Sequence, residues 1–222
     1  DMDARTVEGL AQEIISDITI GIDEMGTRAG IIGEIGINGN PLTPNERKVI
    51  IASAWASKST GASISLHYGG LGEERFEVAK LLDREGADLS RVIFGHSDSY
   101  AMDFSFMTRL LSTGSCIEFD LLGRAGAPIA RSPGIPGTNP WGPQATDIMV
   151  IEALAKLFEA GFGRQILLSH DIGFKIWLRS KGGNGYTFIL DQIRPRLEYL
   201  GITEAQFHIM TTETPQRLLT LA

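Results

Sequence analysis

Five short apolar segments punctuate this chain, and each is followed by a stretch with helical signals. They are the run within AGIIGEIG (29–36), then SISLHY (63–68), RVIFGH (91–96), SCIEFD (115–120) and RQILLSHD (164–171). Strict alternation of strand and helix calls for a parallel sheet covered by helices. Two α/β architectures satisfy that rule: a doubly wound open sheet, or part of a (β/α)8 barrel. No Gly-rich phosphate fingerprint follows the first strand, because the glycines of GEIGINGN do not lead directly into a helix.

The helical stretches carry their own punctuation. Residues 4–20 place Val7, Leu10, Ile14, Ile15 and Ile18 on one face. Thr43 is a predicted N-cap, Pro44 suits the first turn, and Glu46 completes a capping box for a helix that stops near Gly61. Further helices are expected over 73–86, 102–114, 146–161 (capped by Thr146 or Asp147), 186–200 and 203–220. Between the fourth strand and its helix lies GRAGAPIARSPGIPGTNPWGPQ (123–144), which holds five prolines and five glycines. It reads as one long irregular loop of the kind that serves as a functional lid or stays disordered. The texture on either side is the same, so the expectation is a single domain over 1–222.

A net charge of −7 with scattered Lys and Arg argues against a nucleic-acid or anionic-membrane surface. No apolar stretch approaches the roughly 18 residues of a membrane span, and the acidic, amphipathic N-terminus is neither a signal nor a transit peptide. The one cysteine, Cys116, excludes an internal disulfide and fits a reducing compartment, so a cytoplasmic protein is expected.

The chemistry lies at the strand ends. Each segment closes on a residue that binds metals or moves protons: Glu34, His67, His96, Asp120 and Asp171. In parallel α/β architectures these ends share one side of the sheet, the side that carries active sites. Glu34 poses the sharpest question, since an ionised carboxylate inside an apolar strand is unfavourable unless something compensates it. Two imidazoles with two or three carboxylates make a plausible ligand set for zinc or a similar dication. The competing reading is a set of hydrogen-bonded structural residues.

The motifs RAGIIGEIG, PLTPNERKV, ISLHYGG, VIFGHSD and ILLSHDIGFK, with EFDLLG and SHDIGFKIWLRSKGGNGY, resemble in order and spacing the phosphotriesterase family of the amidohydrolase superfamily. The phosphotriesterase-related branch is the nearest in pattern. The resemblance implies a (β/α)8 TIM-barrel-like fold with about five βα units in this chain. It also implies two divalent metal ions, usually Zn2+, and a metal-activated hydroxide that attacks an ester, lactone, amide or phosphoester centre. Carried over by motif, Glu34 bridges the metals, His67 and His96 hold one ion, and Asp171 holds the other and accepts the proton. Asp120 ends the next strand close to the substrate and is left open between supporting a ligand, touching the substrate and lying in solvent. Arg124, Arg131 and Trp141 of the long loop, with Tyr100, Lys175 and Trp177, are candidate substrate contacts, the alternative for each being a solvated residue. Asp98 is expected to fix the tautomer of a ligand imidazole or to cap a loop. His170 should face the helices, opposite Asp171, and His208 has no assigned role.

One departure stands out. The family's first strand ends in a His-x-His pair, and no two of the four histidines here are separated by a single residue. The chain enters the family pattern just before the fourth strand, so the second metal site is incomplete. A piece of a larger protein, or one that lost its N-terminal part, is expected. Three βα units, on the order of 100 residues, have no counterpart. Five strands cannot close a barrel of the usual size, and open edges favour homo-oligomers. Little activity is expected of this polypeptide alone. A small-molecule substrate is expected in a complete enzyme, and an inactive structural or partner-binding remnant is the alternative.

Overall fold

The computed structural model describes residues 1–22, 24, 26–68, 72–123 and 145–221. The loop expected over 123–144, with Arg124, Arg131 and Trp141, lies outside the described residues apart from Gly123. The five apolar segments form β1 (Ile32–Ile37), β2 (Ile64–Tyr68), β3 (Val92–Phe94), β4 (Cys116–Phe119) and β5 (Ile166–Leu168). Helices alternate with them: α1 (Val7–Thr19), α2 (Pro44–Thr60), α3 (Glu74–Arg84), α4 (Phe104–Leu111) and α5 (Asp147–Glu159). Three short helices close the chain: α6 (Arg194–Tyr199), α7 (Glu204–His208) and α8 (Thr214–Leu219).

Two compact units result. The first comprises residues 1–95, 112–116 and the chain from Gln216; the second comprises 96–111 and 117–215. In the first unit β1, β2 and β3 run parallel in chain order, with Ile35 opposite Leu66, Gly36 opposite His67, and Leu66 opposite Phe94. Ile37, Ile64, Leu66, Val92 and Phe94 are wholly buried. The helix α2 packs on β1 and β2. Its small residues Ala52, Ser53, Ala54, Ala56 and Ser57 are almost completely enclosed, which lets it pack closely against several neighbours. On its outer side α1 docks through Leu10 and Ala11 against Ala52, with Val7, Ile14, Val49 and Trp55 around them. The capping box at Thr43 and Glu46 and the left-handed Gly61 that ends α2 are as the sequence indicates.

In the second unit β4 and β5 run parallel, Ile117 opposite Ile166 and Phe119 opposite Leu168. The helix α5 buries Val150, Ile151, Ala153, Leu154 and Leu157. The two long helices expected over 186–200 and 203–220 are each interrupted by a π-helical turn, Ile189–Ile193 and Ile209–Glu213. Both turns stand just ahead of a proline, Pro195 and Pro215. A proline ring has no N–H and collides with the carbonyl four residues back, so the α ladder widens by one residue before it.

Candidate metal centre

The geometry begins with a bulge in β1. Between Ile32, which faces Ile64, and Ile35, which faces Leu66, two residues of β1 oppose one residue of β2. A bulge of this kind re-aims a side chain. Gly33 makes it sterically possible: its φ is +140°, and a Cβ there would lie 2.5 Å from the carbonyl oxygen of Ser65. Strand alternation from the paired Gly36 then places Glu34 on the same face as His67. Glu34 is exposed. The expectation of a carboxylate enclosed by an apolar strand is therefore corrected: the neighbouring isoleucines Ile32 and Ile37 turn inward, and the bulge carries Glu34 to an open face where water solvates it.

His96 and Asp171 share a different feature. Both lie just beyond their strands, and among the described residues they are the two non-glycine residues with positive φ, +49° and +44°. A left-handed backbone with a Cβ costs roughly 1–2 kcal/mol. Such outliers persist where the surroundings over-determine them, and they gather at functional sites.

For His96 the restraint is visible. One carboxylate oxygen of Asp120 accepts the His96 backbone N–H at 2.8 Å, and the other pairs with imidazole Nδ1 at 2.8 Å. Asp120 is 3% exposed. A carboxylate at Nδ1 makes that nitrogen the proton carrier and leaves the lone pair on Nε2. Asp120 in turn is held from behind: Asp98 accepts its backbone N–H at 2.9 Å and that of Leu121 at 3.3 Å. Burial raises the Asp98 carboxyl well above its ordinary value, and the neighbouring Asp120 charge adds to this.

The carboxylate that fixes the His96 tautomer is Asp120, and of its two open readings Asp98 takes the capping one, accepting the backbone N–H groups behind it. Of the three readings open for Asp120, the place behind the imidazole is the one observed, because both of its oxygens serve His96. The positional clue is that Asp120 is the first residue beyond β4, whereas Asp98 has turned away into a 3-10 segment.

Tyr100, expected at the mouth, is buried with its ring stacked on Phe106 at 4.1 Å, so it is a packing residue. Lys175 is exposed on a 3-10 turn that begins four residues after Asp171, where Phe174 and Trp177 meet edge to face. His170 faces the helical segment, as alternation indicates: its Nε2 accepts the backbone N–H of Ile189 at 3.2 Å. Burial lowers its tendency to protonate. His208 is exposed on α7. Among the described residues, no three or more His, Cys, Asp or Glu side chains gather as a preformed metal cluster.

The model of the phosphotriesterase family matches residues 2–219. The chain belongs to the phosphotriesterase family. An N-acetyltaurine hydrolase of Dictyostelium discoideum is 39% identical over 220 residues, covering 98% of this chain and 57% of that protein. The phosphotriesterase homology protein of Escherichia coli (strain K12) is 33% identical over 215 residues, 96% of this chain and 66% of that protein. A crystal structure of the Escherichia coli phosphotriesterase homology protein, with phosphate in its active site, superposes with a TM-score of 0.83 at 32% identity. It covers 99% of this chain and 69% of that one. A resiniferatoxin-binding protein from Rhodobacter sphaeroides gives a TM-score of 0.88 at 29% identity, over 98% of this chain and 58% of that one. This phosphotriesterase-family chain thus has the (β/α)8 TIM-barrel-like fold with five βα units, and spans less than two thirds of the length of these two sequence relatives.

Imidazole and carboxylate side chains stand at or just beyond the strand ends, donor types that a divalent ion accepts. Imidazole nitrogen and carboxylate oxygen are the donors zinc takes. The Asp120–His96 pair has the form by which a carboxylate fixes the tautomer and raises the basicity of a metal-binding imidazole.

Proposed function

We propose that this chain carries part of the catalytic apparatus of a metal-dependent hydrolase of the phosphotriesterase family. The observation that carries the reading is the buried Asp120 carboxylate on Nδ1 of a left-handed His96, a costly arrangement that puts the ring proton on Nδ1 and the lone pair on Nε2. Glu34, His67, His96 and Asp171 are the residues that would hold metal, with His67 and His96 for one ion and Glu34 shared between two. When bound, a divalent ion supplies Lewis acidity, lowering the pKa of water and polarising the oxygen of the bond under attack.

The residues of the chain do the rest. Asp120 keeps the His96 ring in one tautomer and one orientation. The Asp171 carboxylate takes the proton from the attacking water and returns it to the leaving group. Lys175, exposed on the turn that follows, is a candidate to meet an anionic group of the substrate. An amide is favoured over an ester, lactone or phosphoester, because the 39% identical relative is named N-acetyltaurine hydrolase.

Calorimetric titration of the chain with Zn2+ tests the metal reading, with N-acetylated amines, lactones and phosphotriesters as a substrate panel. Saturable binding that weakens at least tenfold in His96→Ala and in Glu34→Gln is the expected result. Turnover, where present, should favour the amides and collapse in Asp171→Asn. A chain that binds no zinc would instead be a structural remnant.

A further inference from the structure

The mechanism uses Asp171 but leaves its unusual backbone unexplained, and the residue before it supplies the explanation. The chain leaving β5 is still held at Ser169, whose N–H donates to the carbonyl of Phe119 at 2.9 Å. One residue on, His170 turns its ring away, and Nε2 accepts the N–H of Ile189 at 3.2 Å. Ile189 opens the helical run 189–199 and is 5% exposed. Its predecessor Phe188 gives no side-chain cap. A helix-opening N–H shut away from water needs an acceptor, and the imidazole is that acceptor. On the other side of Asp171, the N–H of Gly173 donates to the Asp171 carbonyl at 2.9 Å. Asp171 is thus bracketed: its upstream neighbour is tied to a helix start and its downstream turn is closed on its own carbonyl.

We infer that His170 is a positioning residue, whose bond to the Ile189 N–H holds Asp171 in the left-handed conformation that aims its carboxylate. The ring acts as an acceptor, so Nε2 carries no proton and Nδ1 does. Cutting the tie lets residue 171 relax toward extended backbone. The functional meaning rests on Asp171 being the proton acceptor; the backbone statement does not.

A double-mutant cycle read by thermal unfolding separates positioning from plain stabilisation. Asp171→Gly relieves left-handed strain only where that strain is imposed. Its effect on Tm should therefore be more favourable in the parent chain than in His170→Phe, by about 2–4 °C, while the unfolded-state effect of glycine cancels. His170→Gln, whose carbonyl can accept the same N–H, should restore most of the coupling. In parallel, the Ile189 amide should exchange faster in His170→Phe and stay protected in His170→Gln. Nitrogen NMR of the parent ring should show a protonated Nδ1.

An equal Tm increment from Asp171→Gly in both backgrounds overturns the inference, as does a protonated Nε2 or an Ile189 amide indifferent to His170. Exchange and ring NMR on the parent chain still decide if His170→Phe fails to fold. Failure of the parent chain to bind zinc would overturn the metal reading, while the cycle would still decide this one.

Discussion

At the scale of single residues, one carboxylate organises the turn after β1. Glu46 accepts the N–H groups of Asn38 at 2.6 Å, Gly39 at 2.8 Å and Thr43 at 2.7 Å, and the Thr43 hydroxyl at 2.8 Å. Desolvation pushes its pKa up, but the donors from Asn38, Thr43 and Gly39 outweigh it and bring the value from 4.5 down to about 2. A group depressed by folding stabilises the native state above its unfolded pKa, and that stability is lost as pH falls through the folded value. The window is therefore pH 4.5 down to about 2, and after solvent screening the effect is about 1–2 kcal/mol. Thermal melts across that window should show a steeper acid loss for the parent than for Glu46→Gln, which should start less stable and stay flatter. The Asp120 carboxylate has a different task. Asp120→Asn replaces an acceptor with an ambiguous amide and frees the imidazole to adopt either tautomer. Zinc affinity should fall about 10–100-fold, with calorimetry as the measurement and an unchanged affinity as the contrary result.

Among the elements, α8 is tied down at its C-terminal end. Carbonyls in the last turn of a helix have no intrahelical donor, and cations are favoured beside them. Here Arg91, just ahead of β3, donates from Nη1 to the carbonyl of Arg217 at 3.2 Å and from Nη2 to those of Leu218, at 3.2 Å, and Thr220. The Ser63 hydroxyl, just ahead of β2, donates to Leu218 at 2.6 Å, and Arg217 reaches back to the Ser90 carbonyl at 2.7 Å. These contacts lie at the N-terminal ends of β2 and β3, the stability side of a parallel α/β sheet rather than its chemical side. Arg91→Ala should cost about 2 kcal/mol and lower Tm by roughly 4–8 °C. Zinc affinity should hold, since the proposed ligands lie at the opposite ends of the strands. A comparable loss of metal binding would contradict that division of labour.

For the molecule as a whole, metal and stability should be linked. A ligand that binds only the folded chain stabilises it by mass action, about 2.7 kcal/mol at a hundredfold excess over Kd. Zinc should therefore raise Tm by roughly 5–10 °C, and a chelator should reverse the shift. No helix among the described residues is long and apolar enough to cross a membrane.

The sequence by itself determined the alternation of strands and helices, the capping box at Thr43, and the family, because these rest on local periodicity, local hydrogen bonds and motif order. It also indicated that His170 faces the helices, since alternation along a strand is a local rule. Only the tertiary structure decided that Glu34 rides a bulge into solvent rather than lying buried, because a bulge is a relation between two strands. The same holds for Asp120 taking the imidazole while Asp98 stands behind it, and for Tyr100 packing inward. Each depends on which residues far apart in the chain come within hydrogen-bonding or van der Waals reach, and no short-range pattern encodes that.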